Sequence, residues 1–213
     1  MIHIAIDGPA ASGKTSLGRA IAQHFHFLFI ETGNMYRAVA LGLDRGFTLD
    51  KVHVTMSDAG RILLNGEDVN DILHTPELDQ GSSRVATRPE VRRLLVRLQQ
   101  EIAGGHDVVM EGRDIGTVVL PHADVKIFLQ ASARERARRR ASERHQTELD
   151  GTLREIITRD TRDQTRTIAP LNPASDATIM RTDNKSLAEV ISEAIALVEE
   201  RLHTGDTVAK YSL

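Results

Sequence analysis

The stretch Gly8-Pro9-Ala10-Ala11-Ser12-Gly13-Lys14-Thr15 decides how this chain is read. It fits the pattern G-x-x-x-x-G-K-[ST] in full. In such a loop the backbone N–H groups turn inward and cradle phosphate oxygens at a helix N-terminus. The lysine reaches the outer phosphates and the threonine hydroxyl ligates Mg²⁺. Upstream, Ile2, Ile4 and Ile6 alternate as a strand; downstream, Leu17, Ala20, Ile21 and Phe25 recur at helical spacing. Strand, glycine-bounded loop and helix are the context this motif requires, so a chance turn beside a surface lysine is the poorer reading. The loop, Gly8 to Ser16, is therefore expected to bind a nucleoside triphosphate.

Outward from that unit, Phe27–Ile30, Val108–Met110, Val125–Leu129 and Thr178–Met180 are further short apolar runs. Buried parallel strands look like this. Between them the spacing predicts helices. One starts near Arg88-Pro89 and runs to Ile102, behind a capping-box pair Thr87 and Glu90. The pairs Ser132 and Glu135, Thr152 and Glu155, and Ser186 and Glu189 repeat that signal, the last before the apolar face Val190, Ile191, Ala194, Ile195 and Val198. Alternating strands and helices predict an α/β fold around a parallel sheet. One segment breaks the rhythm: Val52, Val54 and Met56 alternate, Ser57-Asp58-Ala59-Gly60 turns, and Arg61–Leu64 leads into Asn65-Gly66. Asn-Gly between apolar runs is a hairpin signal. Residues 50–80 are thus expected to form a small antiparallel insert between the second and third core strands. The tail after Leu202 is expected to be loosely held.

A length of 213 residues suits one domain. Lys plus Arg number 27 against 30 Asp plus Glu, and aromatics are 3% with no Trp, which argues against a dedicated nucleic-acid binder. Cysteine is absent, which removes disulfides, thiol nucleophiles and cysteine-held metals and fits a reducing cytoplasm. No apolar run approaches a membrane span of about 18 residues, and MIHIAIDGPA lacks the layout of a secretory signal. A soluble cytoplasmic protein is expected. The nine histidines carry no H-E-x-x-H spacing, so no histidine-held metal is expected. No Asp is followed three residues later by Gly, and Asn184-Lys185 continues as Ser-Leu, so a GTPase switch is disfavoured and a small kinase favoured.

Further blocks follow in order: Thr32-Gly33-Asn34-Met35-Tyr36-Arg37, Gly112-Arg113-Asp114-Ile115-Gly116-Thr117, Arg159-Asp160-Thr161-Arg162-Asp163-Gln164-Thr165-Arg166, and Ala169-Pro170-Leu171. Together with the phosphate loop, these make the chain resemble bacterial cytidylate kinases from residue 6 to residue 177. GRDIGT with RD-x-R-D-x-x-R is far more specific than the loop alone. The resemblance implies a nucleoside-monophosphate kinase fold with a five-stranded parallel sheet, an antiparallel insert and a helical lid. The core would be residues 1–34, 81–130 and 170–213, the monophosphate region 35–80, and the lid 131–169. It implies transfer from ATP to CMP, or to dCMP, with Mg²⁺, by a monomer acting in pyrimidine metabolism, with no nucleic-acid or membrane partner.

The same resemblance implies residue roles. Lys14, Arg113, Arg159 and Arg166 would form the catalytic set, with Arg37, Arg113 and Arg166 on the acceptor phosphate and Arg159 near the sugar–phosphate. Ser83 and Arg92 would donate to cytosine, and Asp114 would accept from its amine. Asp163 matches the ribose-hydroxyl ligand, and Thr32 and Tyr36 sit in the acceptor-side loop. Thr15 would hold Mg²⁺, with Glu111 acting through water. The physics is consistent: two unit charges at 4 Å interact at about 4 kcal/mol at an effective dielectric near 20, so two phosphates meeting need cations between them. Arginines relieve that repulsion and grip phosphate in pairs of bonds. Arg134, Arg136, Arg138, Arg139, Arg140 and Arg144 crowd one stretch of the lid. A solvated face and an RNA patch are the other readings of it; as a lid it would close over ATP, and Arg136 and Arg140, at i and i+4, are favoured.

Three positions depart from the family pattern: Glu31 where Asp is usual, Asn34 in place of a small residue, and Met180-Arg181 where an apolar residue and Asp are usual. Rival readings are a P-loop kinase for UMP, dTMP or shikimate, and a non-catalytic RNA-binding P-loop protein.

Overall fold

The amino-terminal alternation forms strand β1 (His3–Asp7), and the periodic run after the glycine loop forms helix α1 (Lys14–Phe25). The computed structural model describes residues 1–57, 59–143 and 148–210, with side chains as far as residue 203. Asp58 of the expected turn and Arg144 of the arginine-rich stretch lie outside the described residues. The other core strands are β2 (Leu28–Glu31), β6 (Val108–Gly112), β7 (Val125–Gln130) and β8 (Thr178–Arg181). All pair in parallel, in the order β2-β6-β1-β7-β8. The five-stranded parallel sheet expected of the family is present.

β1 lies centrally, and its alternate residues feed two cores. Ile4 and Ile6 join Val109, Val125 and Ile127 under α1 and α7 (Leu187–Lys210). Ala5 joins Val108 and Met110 under α2 (Thr32–Asp44), α3 (Pro76–Val85) and α4 (Pro89–Ala103). Both faces are covered, which is why the central strands read as apolar runs rather than alternations with polar residues. Each fully buried Ile or Leu contributes about 1.5–3 kcal/mol of burial. β8 is the edge strand, and Ile179 on it is exposed.

Between β2 and β6 the insert forms β3 (Val54–Met56), β4 (Ile62–Leu64) and β5 (Glu67–Asp68), a three-stranded antiparallel sheet. Asn65 at φ 51° and Gly66 at φ 85° make the hairpin turn, as the two left-handed central positions require. The last five residues of the expected insert are helical, being the start of α3.

The helix starts vary in how they were signalled. Ser186 and Glu189 form a reciprocal box before α7: the Ser186 N–H donates to Glu189 Oε2 at 2.8 Å and the Glu189 N–H to Ser186 Oγ at 3.3 Å. Ser132 Oγ caps α5 (Ala133–Glu143) by accepting from the Glu135 N–H at 3.3 Å. The other two boxes do not form. Thr87 donates its hydroxyl back to Arg84 O at 2.8 Å, which takes it away from α4. Thr152 lies inside α6 (Leu149–Thr165) and bonds Glu148 O. A hydroxyl in reach of an i−3 or i−4 carbonyl satisfies itself there, and the box loses the competition. Helix α7 continues through Lys210, past the point where the tail is read as loose. Among the described residues no helix is long and apolar enough to cross a membrane.

Candidate active site

Parallel strands put their C-terminal ends on one side of the sheet, where an open α/β sheet offers a crevice. There the loop after β1, the start of α2 after β2, and the turn after β6 converge on a cleft of about 970 Å³ including its open mouth.

Gly8 leaves β1 with φ 153°, and a Cβ there would sit 2.6 Å from Leu129 O on the neighbouring strand. Gly13, at φ 94°, turns the chain into α1 in a left-handed conformation that only glycine adopts freely. No side chain caps α1, so its first N–H groups face the loop. Lys14 folds back along the loop and donates to Pro9 O at 2.8 Å and Ser12 Oγ at 3.4 Å. Burial, then the nearby Arg113 guanidinium, pushes its amine down to about 7. Thr15 Oγ1 donates to Glu111 Oε1 at 2.6 Å, which brings the hydroxyl and the carboxylate expected at a cation to one point. Ala10 through Ser16 line the cleft; Gly8 and Pro9 do not.

Asp7, which the sequence reading passed over, sits beneath this loop. Its carboxylate accepts from the N–H groups of Ile115 and Gly116, both at 2.8 Å. It thereby ties the root of the phosphate loop to the turn that carries Arg113 and Asp114. Burial raises its pKa to about 6 against the pull of those two amides. An acid closing an apolar strand directly before the glycine loop was the available signal.

The expected acceptor-side residues meet in the same cleft. Thr32, Tyr36 and Arg37 come from α2, Ser83 from α3 and Arg92 from α4. Thr32 and Tyr36 are therefore helical, not part of a loop. Arg92 forms a buried ion pair with Asp114 and donates to the Tyr36 hydroxyl at 3.4 Å. Arg166 reaches the other oxygen of Asp114 at 3.2 Å. Burial pushes the Tyr36 hydroxyl up to about 12. Ser83 Oγ is buried without a hydrogen-bond partner among the described residues. Thr32 Oγ1 donates to Glu111 O at 2.7 Å.

Beside that group, Arg113 Nε donates to Asp163 at 2.9 Å. Arg159 is buried, its Nε lacks a hydrogen-bond partner among the described residues, and burial with Arg113 nearby lowers its guanidinium to about 10. Arg140 also lines the cleft, but Arg136 does not. Arg136 is turned inward: it donates to Ala10 O and Ala131 O, each at 3.0 Å, and pairs with Asp160 at 2.6 Å. Three of its five N–H groups thus hold Ala10 of the phosphate loop, Ala131 and Asp160 of α6, and the side chain lies outside the cleft where contact with ATP is expected of it. Positions i and i+4 share a helix face only approximately, and one turn of α5 separates an anchor from a cleft residue.

The departures from the family pattern sort themselves. Glu31 Oε1 accepts from Arg37 Nη1 at 3.1 Å, and Asn34 Oδ1 accepts from the same nitrogen at 2.8 Å. Arg181 is exposed at the end of β8 and is not among the cleft residues. A second residue absent from the sequence reading is Asp79 on α3. It takes Arg37 at 2.7 Å, Arg140, and Arg159 at 3.6 Å. Burial opposes its ionisation, but the three guanidinium groups bring its carboxyl down to about 2. In sequence it reads merely as an acid in the first turn of a helix.

A phosphate-binding loop at the head of a five-stranded parallel sheet, with a cleft of converging arginines, defines a small P-loop phosphotransferase. Solved structures of that architecture resemble it. A gluconokinase from Sinorhizobium meliloti superposes with TM-score 0.54 at 16% identity, covering 100% of this chain and 98% of its own. A shikimate kinase from Bacteroides thetaiotaomicron gives TM-score 0.50 at 18% identity, covering 95% and 98%. At such identities the likeness is one of fold. Sequence relatives narrow the class. The cytidylate kinase family model matches residues 4–200. The cytidylate kinase of Thermotoga petrophila is 43% identical over 95% of this chain and 99% of its own length. That of Solibacter usitatus is 44% identical over 96% and 95%. The chain belongs to the cytidylate kinase family.

Proposed function

We propose that this protein transfers the terminal phosphoryl group of ATP to CMP, and to dCMP, yielding ADP and the diphosphate. The observation that carries this is a pair of buried cations, Lys14 and Arg159, both depressed by burial and by Arg113, in one cleft with the base-reading candidates Ser83, Arg92 and Asp114. A cleft lined by one lysine and six arginines against five carboxylates suits two polyanions that must approach each other.

In this reading the amides of Gly8 to Ser16 cradle the ATP phosphates, Lys14 holds the outer ones, and Arg140 reaches them from the lid, residues 131–169. The acceptor binds on the side of residues 35–80. Arg37, Arg113, Arg159 and Arg166 take its phosphate, and Asp163, already paired to Arg113, takes a ribose hydroxyl. Thr32 and Tyr36 complete that wall. Cytosine offers acceptors at O2 and N3 and a donor amine at C4. Ser83 Oγ and Arg92 supply donors, and Asp114 accepts the amine. A carboxylate has about four lone-pair sites, so Asp114 accepts it while keeping Arg92 and Arg166. Uracil turns an oxygen toward Asp114, and the mispaired buried group costs about 1–3 kcal/mol.

The Thr15 hydroxyl and the Glu111 carboxylate are hard oxygen donors of the kind Mg²⁺ takes together with substrate phosphates and water. Mg²⁺ bound there would supply charge neutralisation on the transferring phosphoryl group. Among the described residues no three His, Asp or Glu side chains cluster as an all-protein cage, and a nucleotide-borne cation needs none.

The deciding experiment is a coupled ADP-release assay with ATP, Mg²⁺ and each nucleoside monophosphate in turn. Turnover is expected to be fastest on CMP and dCMP. Turnover confined to UMP or a purine monophosphate would overturn the base assignment, and turnover with none of them the reading as a whole.

A further inference from the structure

We propose that Asp79 is an internal stand-in for the acceptor's phosphate: its carboxylate gathers Arg37, Arg140 and Arg159, and the incoming phosphate takes Arg37 and Arg159 over from it, leaving Arg140 to the ATP side. The proposal rests on the acceptor-side reading above. It adds a residue which that reading does not contain.

The geometry of Arg37 carries the argument. Its Nε and Nη2 both donate to Asp79 Oδ1, at 3.2 and 2.7 Å, while Nη1 donates to Glu31 at 3.1 Å and to Asn34 at 2.8 Å. A guanidinium has five N–H groups in a fixed fork, and these contacts engage four of them. Bidentate capture of phosphate needs two parallel N–H groups from one edge. The Nε–Nη2 edge is on Asp79, and the Nη1 side is on Glu31 and Asn34. With its Nε–Nη2 edge, Arg37 therefore grips an acceptor phosphate only by exchanging the Asp79 carboxylate for it.

The other two partners extend the arrangement. Arg140 comes from α5 and Arg159 from α6, so one carboxylate on α3 joins the acceptor-side helix α2 to both lid helices. Asp79, Arg140 and Arg159 also line a smaller hollow with Ala10 of the phosphate loop; Ala10, Arg140 and Arg159 line the main cleft as well, so the carboxylate stands behind two of the cleft's arginines. Asp79 brings one negative charge and two oxygens, whereas a phosphate monoester brings up to two charges and three free oxygens. The exchange favours the phosphate. Until it occurs, Asp79 keeps three mutually repelling guanidinium groups in register.

The cost is affinity, because the substrate must displace a bound carboxylate. Asp79→Asn keeps the shape and removes the charge. In this variant KM for CMP is expected to fall about tenfold, the worth of one charge-assisted hydrogen bond, and the Kd for inorganic phosphate to fall alongside it. The variant is expected to melt lower than wild type, and to be raised more than wild type by inorganic phosphate, since the anion replaces the missing charge. A residue of merely structural importance would act the other way: KM for CMP would rise and phosphate would bind no tighter, and that result would overturn the proposal. Wild-type protein gives a second test if the variant does not fold. In a crystal structure with CMP, the Arg37 Nε and Nη2 contacts to Asp79 are expected to be broken and replaced by phosphate oxygens. Those contacts intact beside a bound phosphate would equally overturn it. Lack of turnover on CMP would defeat the preceding reading, while the inorganic-phosphate comparison would still decide this one.

Discussion

The two halves of the cleft treat charge differently. Around the phosphate loop, Lys14 and Arg159 are cations whose pKa values are driven down, first by burial and then by Arg113 beside them. Around the base-reading candidates, Arg92, Arg166 and Asp114 close their charges on one another, two guanidinium groups to one carboxylate. In the first half the carboxylates of Glu111 and Asp7 only partly offset the cations; in the second, one carboxylate sits between two guanidinium groups in direct hydrogen bonds. Attraction by net charge falls off slowly with distance and does not distinguish bases, whereas a paired carboxylate of fixed direction discriminates donor from acceptor. Under the proposed function, phosphate capture and base choice are separable tasks, and Asp79 belongs with the first through Arg37, Arg140 and Arg159.

The largest expected effect tests the phosphate half. Lys14→Ala should lower kcat by about a thousandfold, the scale seen when one preorganised electrostatic donor is removed. The loss should be the same for every acceptor, as read by steady-state ADP release. A loss that depends on the base would break the separation. Next is the base half. Asp114→Asn puts an amide where the carboxylate stood, and its NH₂ suits the uracil oxygen. The ratio of kcat/KM for CMP over UMP should drop by roughly tenfold to a hundredfold. An unchanged ratio would mean that Asp114 serves only to pair Arg92 and Arg166.

The smallest effect sharpens the contrast through protons. Lys14 titrates near 7 in the folded chain against 10.5 as its ordinary value, so between those pH values the unfolded chain holds the extra proton. Its contribution to stability therefore rises with pH across that window, and the penalty is full below it. Under the proposed function, ATP bound at the loop would restore the ammonium. Titration calorimetry at pH 7.5 in buffers of different ionisation enthalpy should record uptake of roughly half a proton or more per nucleotide, beyond that due to ATP itself. Lys14→Ala should abolish that excess. Equal release and uptake in both proteins would show that the lysine is fully charged beforehand.

Much of this molecule was legible in its order of residues, because it depends on neighbours along the chain. The phosphate loop needs glycine at Gly13 for a local backbone reason, whereas at Gly8 the approach of Leu129 O adds a tertiary one, and the apolar runs and helical periodicities report burial of contiguous segments. The hairpin at Asn65-Gly66 follows from the φ preferences of two adjacent residues. The family blocks brought most of the cleft residues to attention, from Lys14 to Arg166. Only the tertiary structure decided the pairings. That Asp7 holds the turn at Ile115 and Gly116, that Asp79 collects arginines from three other helices, and that Arg136 fastens α5 to Ala10 while Arg140 faces the cleft are contacts between residues far apart in sequence. The failed boxes at Thr87 and Thr152 show the same limit at short range, where a hydroxyl had two satisfactory partners and the spacing alone could not rank them. Local sequence determines which conformations and charges are available. Which charges neutralise each other depends on where the folded chain brings them, since Coulomb energy and desolvation act through space and not along the backbone.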